Sequence, residues 1–236
     1  VGVIAFDLSV NVIDRWRMNK IQQRALEAAK IEQKLQEARL ELALHQIKPH
    51  FLQNALMSIK VLCRTRPKEA EQAVYDFAVF LRGNMNALES AEMILFREEC
   101  KTIERYLHIE KMRFGERLQV QWDLQEEKFQ IPPLTIQPLV ENAVCHGICQ
   151  KMEGGTVQIR SFRKNGEICV QILDDGAGFD TEKLKDADGI AIRNLKLRLK
   201  EFLNADLEIE SRKGEGCRQT IHIPWEETED ENYSDR

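Results

Sequence analysis

The chain has 236 residues, of which 43% are hydrophobic and 31% charged, so it can form one large domain or two small ones with a buried core. Its formal net charge is −5, and its lysines and arginines form no basic cluster, which argues against a nucleic-acid-binding protein. The six cysteines are scattered and contain no Cys-x-x-Cys pair, a distribution typical of reduced thiols in a cytosolic protein.

The N-terminal stretch VGVIAFDLSVNVID is apolar only in patches, because Asp7 and Asn11 interrupt it. A membrane span needs roughly 20 apolar residues, and a signal peptide begins with basic residues, so neither is predicted here. Because the chain opens on Val1 instead of Met, we expect this stretch to be the end of an upstream element. Residues 1–40 are therefore interpreted as an N-terminal segment and a signalling helix.

Residues 18–48 contain no Gly or Pro and are rich in strong helix formers, which predicts a long helix with apolar residues at coiled-coil spacing. Pro67 predicts a turn, and KEAEQAVYDFAVFLRGNM predicts a second amphipathic helix. Because one hairpin buries little surface, residues 41–92 are expected to form a dimeric four-helix bundle, with a plain coiled-coil linker as the alternative. The heptad positions are Ala28, Ile31, Leu35, Ala38, Leu42, His45, Pro49, Leu52, Leu56, Ile59 and Cys63, and the apolar face of the second helix is Ala70, Ala73, Val74, Phe77, Phe80 and Leu81.

A third helix is predicted over residues 97–113, and after it the pattern changes to short alternating runs that are typical of strands. Two more helices are predicted between these runs, from PLTIQPLVENAVCHGI and IAIRNLKLRLKEFL. Strands mixed with helices, without strict βαβ alternation, predict an α+β two-layer domain over residues 97–224. The acidic end, residues 225–236, is predicted to be disordered. The strand-like runs are RLQVQWDL, TVQIRSF, EICVQILDD, LEIESR and RQTIHIP.

The segment LHQIKPHFLQNAL places two histidines and a proline in the first predicted helix. His45 falls on a core-facing heptad position, so a structural role is the favoured interpretation. His50 follows Pro49 and is rotated about 100° from the heptad line, which directs it toward solvent and a second domain. Pro49 removes a hydrogen bond and bends the helix, and a neutral imidazole displayed there is a candidate nucleophile. The alternative, that His50 is an ordinary surface residue, stays open.

The segment DDGAG ends a strand-like run and is a candidate nucleotide-binding loop. The carboxylate of Asp174 can accept a hydrogen bond from an adenine amino group, and Gly176 and Gly178 allow the backbone to approach a nucleotide closely. The same segment is also a common turn. Each motif of this domain is weak alone, but four of them follow in order.

The segment PLVENAVCHG places Glu141, Asn142 and His146 on one predicted helix, with residues 142 and 146 on the same face. A carboxamide oxygen is a suitable ligand for Mg²⁺ bound together with phosphates. A capped amphipathic helix without a ligand is the alternative. Further along, Gly189 precedes a helix, whose N-terminus is a suitable binding site for phosphate. The segment KGEGCRQTIHIP contains a second Gly-x-Gly, which is equally typical of a hairpin turn.

In this order the motifs resemble those of bacterial sensor histidine kinases of the LytS/YesM type. The phosphoacceptor motif of that family, close to Q-I-N-P-H-F-L-F-N, reads QIKPHFLQN at residues 46–54. The family's QPLVENAxxHG motif matches residues 137–147, and its D-x-G-x-G motif matches residues 174–178. The resemblance runs from about residue 40 to residue 224 and includes a late G-x-G…IP segment and a helix pattern of Tyr106, Glu110, Arg113 and Phe114.

The resemblance implies a GHKL-type α/β sandwich domain that binds ATP and Mg²⁺, preceded by dimerisation helices. It implies that His50 is autophosphorylated, that Asn142 holds Mg²⁺ and that Asp174 binds adenine. Glu141 is a candidate for orienting or deprotonating the imidazole. It further implies transfer of the phosphoryl group to an aspartate of a response regulator, by the cytosolic portion of a homodimeric bacterial cell-membrane protein whose membrane segment lies upstream. The other nucleotide-binding candidates are His146, Gly176, Gly178, Gly189, Asn194 and Thr220.

The chain departs from the family pattern at Lys48, Gln53, Cys145, Ala191 and Cys217. Ala191 carries a Cβ where the backbone of the family's second glycine motif needs positive φ, which is costly for any residue but glycine. Cys145 stands where many relatives carry a lysine that contacts phosphate. These departures favour a degenerate nucleotide-binding dimeric scaffold as the alternative function. A net phosphatase is a further alternative, in which Asn54 positions a water.

Overall fold

The computed structural model of the chain describes residues 20, 22–24, 26–27, 29–34, 49–89, 92–180 and 190–225. It separates into two units, Val1–Pro49 and His50–Arg236. The described residues between positions 20 and 34 are helical and exposed, and we call this segment α1. His45 and the helix predicted around it lie outside the described residues. None of the described helices has the length and apolar character needed to cross a membrane.

The predicted hairpin is formed by α2 (Pro49–Thr65) and α3 (Pro67–Glu89), which are joined at Arg66. Pro67 occupies the first position of α3, where its missing N–H costs no helical hydrogen bond. The two helices pack through apolar residues spaced three and four apart on each helix, as expected for one face of a helix. The buried residues are Phe51, Ala55, Ile59 and Leu62 on α2 and Ala70, Ala73 and Phe80 on α3.

The side of the hairpin that faces away from this core is also apolar. Leu56 and Val61 on α2 are 57% and 58% exposed, and Val74 and Tyr75 on α3 are 51% and 61% exposed. Val74 belongs to the apolar face predicted for the second helix, and within one chain its side chain is exposed. Both helices carry two overlapping apolar patterns, and periodicity alone does not indicate which pattern packs inside the chain.

The helix α4 (Phe96–Phe114), predicted at 97–113, connects the hairpin to the sheet. Its His108 Nδ1 lies 2.6 Å from Asp76 Oδ2 on α3, which ties the two helices together. The ring of Tyr106 packs against that of Phe51, with centroids 5.1 Å apart. At the start of α4, the short strand β1 (Ile94–Leu95) pairs antiparallel with β3 (Gln130–Ile131).

The second layer is a five-stranded sheet in the order β2-β4-β5-β7-β6. Strands β2 and β4 are parallel and the other pairs are antiparallel. All five strand predictions are confirmed, as is the two-layer α+β architecture, because each run alternates between a buried apolar face and a polar face. The strands are β2 (Leu118–Leu124), β4 (Gly155–Lys164), β5 (Glu167–Asp174), β6 (Asp206–Arg212) and β7 (Gly216–Pro224).

One face of the sheet packs against α4, α5 (Gln137–Asn142) and α6 (Ile190–Leu203). The other face, which we call the outer face, carries mostly polar side chains joined across strands, such as Asp123 with Arg160 and Glu210 with Arg218. The core lies between the sheet and the helices. It includes Ile103, Leu107, Leu118, Leu139, Val140, Ile159, Val170, Ile172, Leu195, Leu199 and Ile221.

Candidate functional site

Asp174 is the last residue of β5, and its carboxylate is buried against the helical layer with 7% of the residue exposed. Its Oδ1 accepts a hydrogen bond from the backbone N–H of Gly176 at 3.0 Å. Burial raises the pKa of Asp174 to about 6, and the hydrogen bonds from the N–H groups of Gly176 and Cys217 oppose this rise. The site therefore holds a buried carboxylate with acceptor capacity at the end of a central strand.

The glycines of the DDGAG loop are required first by packing within the protein. A Cβ at Gly176 would overlap the backbone of Gly147, and a Cβ at Gly147 would overlap the carboxylate of Asp174. Gly178 has φ +56°, and its Cβ would overlap the carbonyl of Arg212 at the end of β6. The sequence predicted that Gly176 and Gly178 allow approach of a nucleotide, whereas the close neighbours that the structure shows are the chain's own backbone.

The neighbouring carboxylate, Asp175, has a different environment from that of Asp174. It is exposed, and its Oδ1 accepts a hydrogen bond from the N–H of Thr156 at 2.7 Å. Its backbone carbonyl accepts a hydrogen bond from Lys151 Nζ at 2.7 Å. Asp175 therefore holds the beginning of β4 and has a structural role. Asp174 is the buried carboxylate of the two and is the one placed to recognise a ligand.

Helix α5 carries Glu141 and Asn142, which are half-buried, and is followed by a π-helical turn over Ala143–Gly147. The exposed His146 lies in this turn. The prediction of one face shared by residues 142 and 146 assumed a regular α-helix, and the wider turn changes that relation. Single π-helical turns inside helices occur frequently at functional sites.

The direction of Glu141 is fixed by a hydrogen-bond chain that begins on the hairpin. Gln137 Nε2 donates to Glu141 Oε1 at 2.9 Å and to Asn84 Oδ1 on α3 at 2.8 Å. On α4, burial first, and then the charges of Cys145, Glu110 and Glu141, raise the pKa of the Tyr106 hydroxyl well above its usual value. Gln137 therefore links Glu141 to Asn84 on α3.

The beginning of α5 is held by a buried group that the sequence analysis did not identify. Glu99 Oε1 on α4 accepts hydrogen bonds from the backbone N–H groups of Ile136 at 2.6 Å and Gln137 at 2.9 Å. Burial raises the pKa of Glu99 to about 7, while these two N–H groups and Arg198 oppose the rise. Arg198 on α6 also donates to the carbonyls of Pro133 and Leu134.

His50 lies in the first turn of α2 and is exposed, as the heptad offset predicted. The side-chain nitrogen of Asn54 is 3.1 Å from its Nδ1 and 3.2 Å from its Nε2. A neutral imidazole has one acceptor nitrogen, so the amide serves one of these two atoms at a time. The next residue, Phe51, is buried, and its ring packs against that of Tyr106 on α4.

The strand register separates Thr220, another predicted nucleotide-binding residue, from Asp174. Thr220 faces the outer side of the sheet, where its hydroxyl accepts a hydrogen bond from Gln171 at 3.3 Å. Asp174 pairs with Cys217, three residues from Thr220, so the alternation of β7 puts Thr220 on the opposite face. Asn194 is exposed on α6. Gly189 lies outside the described residues.

Cys217, which the sequence analysis identified as a departure from the family pattern, lies beside Asp174. It is buried and is the direct cross-strand neighbour of Asp174. Burial, followed by the Asp174 charge, raises the pKa of the Cys217 thiol to about 12. The cross-strand register was the missing signal, because Cys217, not Thr220, shares the face of Asp174.

Comparisons with known proteins agree with this architecture. The family model for histidine kinases matches residues 38–118. The model for histidine kinase-, DNA gyrase B- and HSP90-like ATPases matches residues 133–227. The second match covers strands β4 to β7 of the sheet together with α5 and α6, so the α/β sandwich is a GHKL-type ATPase fold. Among solved structures, the histidine kinase domain of a blue-light-activated histidine kinase from Erythrobacter litoralis EL346 aligns at 18% identity and a TM-score of 0.47, over 79% of this chain and 93% of that one.

Curated relatives extend the comparison along the chain. YwpD from Bacillus subtilis (strain 168) is 36% identical over 203 residues, covering 82% of this chain and 73% of YwpD. Sensor histidine kinase BtsS from Escherichia coli (strain K12) is 33% identical over 195 residues, and sensor protein LytS from Bacillus cereus is 30% identical over 224 residues. The chain therefore belongs to the histidine kinase family, in its LytS/YesM-type branch. It covers 34% of the length of BtsS and 38% of that of LytS.

Proposed function

We propose that the protein is a sensor histidine kinase of a two-component system, which transfers the γ-phosphoryl group of ATP to His50 and then to an aspartate of a response regulator. The observation that carries this proposal is the exposed His50 on the hairpin, next to the buried Phe51, whose ring packs on that of Tyr106 in α4. A GHKL-type ATPase domain without a phosphoacceptor needs no exposed histidine at such a place.

The residues around the end of β5 suit ATP and Mg²⁺. Asp174 offers a buried acceptor for the adenine amino group, and its carboxylate is already oriented by the N–H of Gly176. Asn142 is half-buried beside the π-helical turn and offers a carboxamide oxygen to Mg²⁺. Bound Mg²⁺ neutralises phosphate charge during transfer. We retain His146, Gly189 and Asn194 as candidates for contacts with the nucleotide, and the register of β7 removes Thr220 from this set.

At the acceptor, positioning supplies most of the catalysis, as in other phosphoryl transfers. One imidazole nitrogen of His50 forms the N–P bond while the bond from the γ-phosphorus to the bridging oxygen breaks and ADP leaves. The amide of Asn54 contacts the ring and fixes its orientation. Glu141, held by Gln137, receives the proton that the other ring nitrogen releases.

The outward apolar side of the hairpin suits a homodimer. Leu56, Met57 and Val61 on α2, with Val74 and Tyr75 on α3, present large apolar side chains that are 51–61% exposed within one chain. A second hairpin that packs on this side would complete the four-helix bundle expected from the heptad spacing. We also propose that the chain is the cytosolic portion of a bacterial cell-membrane protein, attached through an upstream segment.

A second candidate function is a net phosphatase acting in the same pathway. The contact of Asn54 with His50 favours it, because a carboxamide one turn from the acceptor can also hold a water against a phosphorylated partner. The departure at Cys145 favours instead a degenerate scaffold that binds nucleotide weakly. Ala191 does not support it, because residue 191 lies in α6 and is not among the residues with positive φ, so the strain expected from the sequence is absent there. A kinase gains a phosphoryl group, a phosphatase removes one from its partner and a scaffold does neither, so the three functions can be told apart by measuring phosphoryl transfer.

The experiment that separates them measures the intact mass of the chain after incubation with Mg-ATP. A kinase gains the mass of one phosphoryl group, and the gain disappears when Mg²⁺ is chelated or when His50→Gln is used. A chain that binds nucleotide, gains no mass and leaves a phosphorylated response regulator unchanged is a scaffold. A chain that gains no mass but accelerates loss of phosphate from a phosphorylated response regulator, and loses this effect in Asn54→Ala, is a phosphatase.

A further inference from the structure

A cluster of metal-ligating side chains lies on the outer face of the sheet, away from the nucleotide-binding residues. Glu167 Oε2 is 3.0 Å from His222 Nδ1, and Cys169 Sγ is 3.9 Å from the same nitrogen. The ligand atoms of Glu167, Cys169 and His222 all lie within 4.8 Å of one another. These atoms come from two neighbouring strands, and Cys169 and His222 are direct cross-strand partners.

The spacing of these atoms suits a tetrahedral zinc ion. Zn²⁺ binds sulfur at about 2.3 Å and nitrogen or oxygen at about 2.0–2.2 Å, so tetrahedral ligand atoms lie roughly 3.3–3.7 Å apart. The observed separations of 3.0 and 3.9 Å bracket that range, so small side-chain rotations suffice to reach it. The mixture of thiolate, imidazole and carboxylate ligands favours zinc over Mg²⁺ or Ca²⁺, which prefer oxygen ligands.

A second carboxylate orients the histidine for this role. Glu208 on β6 places its Oε2 3.6 Å from His222 Nε2, on the side of the ring opposite Nδ1. At this ion-pair distance the Glu208 carboxylate favours a proton on Nε2, which leaves the lone pair of Nδ1 for a metal; metal-bound histidines commonly have a carboxylate beside the other ring nitrogen. The side chains of Glu167 and His222 are 42% and 33% exposed, so an ion can enter from solvent and a water can complete the coordination.

We propose that Glu167, Cys169 and His222 form a zinc site, with Glu208 as the positioning residue for His222. On binding, the Cys169 thiol releases its proton and forms a Zn–S bond, and His222 and Glu167 each donate a lone pair. The site is distinct from the nucleotide site, because Cys169 is an odd number of residues from Asp174 on β5 and so faces the other side of the sheet. The two are separated by roughly 17 Å along the strand at about 3.4 Å per residue. Zinc here would join β5 to β7 near the end of the sheet distant from Asp174.

The test uses the full chain after treatment with a chelator, titrated with Zn²⁺ against a competing chromogenic chelator. The wild type is expected to bind one equivalent tightly, and Glu167→Gln, Cys169→Ser and His222→Gln are each expected to bind at least tenfold more weakly. Cys63→Ser is the matched control, because Cys63 is an exposed thiol on α2 that the site does not use. Replacing Zn²⁺ with Co²⁺ should give thiolate-to-cobalt absorption that persists in Cys63→Ser and is absent in Cys169→Ser.

Two results would overturn the proposal. One is a wild type that takes up no tight equivalent of Zn²⁺, which would mean that the cluster consists of ordinary cross-strand ion pairs. The other is tight binding that survives in both Cys169→Ser and His222→Gln, which would assign the ion to other thiols. If Cys169→Ser fails to fold, the zinc affinities of His222→Gln and Glu167→Gln test the proposal instead, since both residues are partly exposed and their replacement is expected to leave the fold intact. Glu208→Gln should weaken binding less than the ligand variants do.

Discussion

Replacing Asp174 by Asn separates nucleotide recognition from folding, because the structure predicts opposite effects on the two. The carboxylate is buried, and burial raises its pKa to about 6 from an ordinary 3.8, so the ionised form opposes folding above that pH. Asparagine keeps the shape and can still accept the N–H of Gly176, which Asp174 Oδ1 now accepts. The free energy of unfolding of Asp174→Asn at pH 8 is therefore expected to rise.

Nucleotide binding should change in the other direction. The substitution removes the charged acceptor and presents an amide N–H to the adenine amino group, which is itself a donor. Losing a hydrogen bond to a charged group costs about 1.5–3 kcal/mol, which corresponds to roughly 10- to 150-fold weaker binding at about 1.4 kcal/mol per factor of ten. Calorimetric titration with ATP and Mg²⁺ measures this loss, and urea unfolding measures the stability.

Asp175→Asn is the matched control, because the Asp175 carboxylate is exposed and contacts only the start of β4 among the bonds described above. Its affinity for ATP should remain close to that of the wild type. Unchanged affinity in Asp174→Asn would refute the assignment of Asp174 to adenine. A joint loss of affinity and of stability would show instead that the carboxylate holds the loop together.

Three further predictions concern Pro49, the DDGAG loop and Glu99. Pro49 is the first residue of α2 in the structure, but the sequence predicts a helix that continues through it. On that prediction Pro49→Ala restores a backbone donor inside the helix, so it should raise the melting temperature and slow autophosphorylation while ATP affinity stays the same; a wild-type rate of autophosphorylation would show that Pro49 has no part in switching. In a denaturation assay, Gly176→Ala should lower the free energy of unfolding by about 1–3 kcal/mol, because the new Cβ overlaps the backbone of Gly147. Gly83→Ala is the control and should be neutral or stabilising, because its Cβ meets only Thr102 atoms at 3.7 Å and beyond. Glu99 has a pKa raised from 4.5 to about 7, so the stability that its protonated form contributes to the fold is complete below pH 4.5 and is lost as the pH rises through 7, at up to about 1.4 kcal/mol per pH unit. Glu99→Gln should flatten the pH dependence of the unfolding free energy between pH 4.5 and 7. An unchanged slope would mean that Glu99 does not titrate in this range.

Patterns that act over short stretches of sequence predicted much of the fold. The alternating runs of β4 and β5 and the helical period of α6 located these elements to within one or two residues, because each element buries one face. The exposure of His50 followed from its offset from the heptad line. These predictions needed only the geometry of a single element.

Features that depend on two distant segments were not predicted. Glu99 caps the start of α5 from another helix, and Asn84 holds Gln137 across more than 50 residues, and neither pair leaves a local pattern. Thr220 was predicted to be a nucleotide-binding residue, but it lies on the face of the sheet opposite to Asp174, because the face of a strand residue depends on its register with the neighbouring strand. The role of Gly176 was visible only from the backbone of Gly147 that packs against it.

The most direct test of the central claim locates the phosphoryl group on the chain. After incubation with radiolabelled ATP and Mg²⁺, the wild type should carry a label that acid removes and base does not, as expected for a phosphorylated imidazole. His50→Gln should lose this label, whereas His45→Gln should keep most of it. A label that persists in His50→Gln and disappears in His45→Gln would contradict the assignment of His50 as the phosphoacceptor.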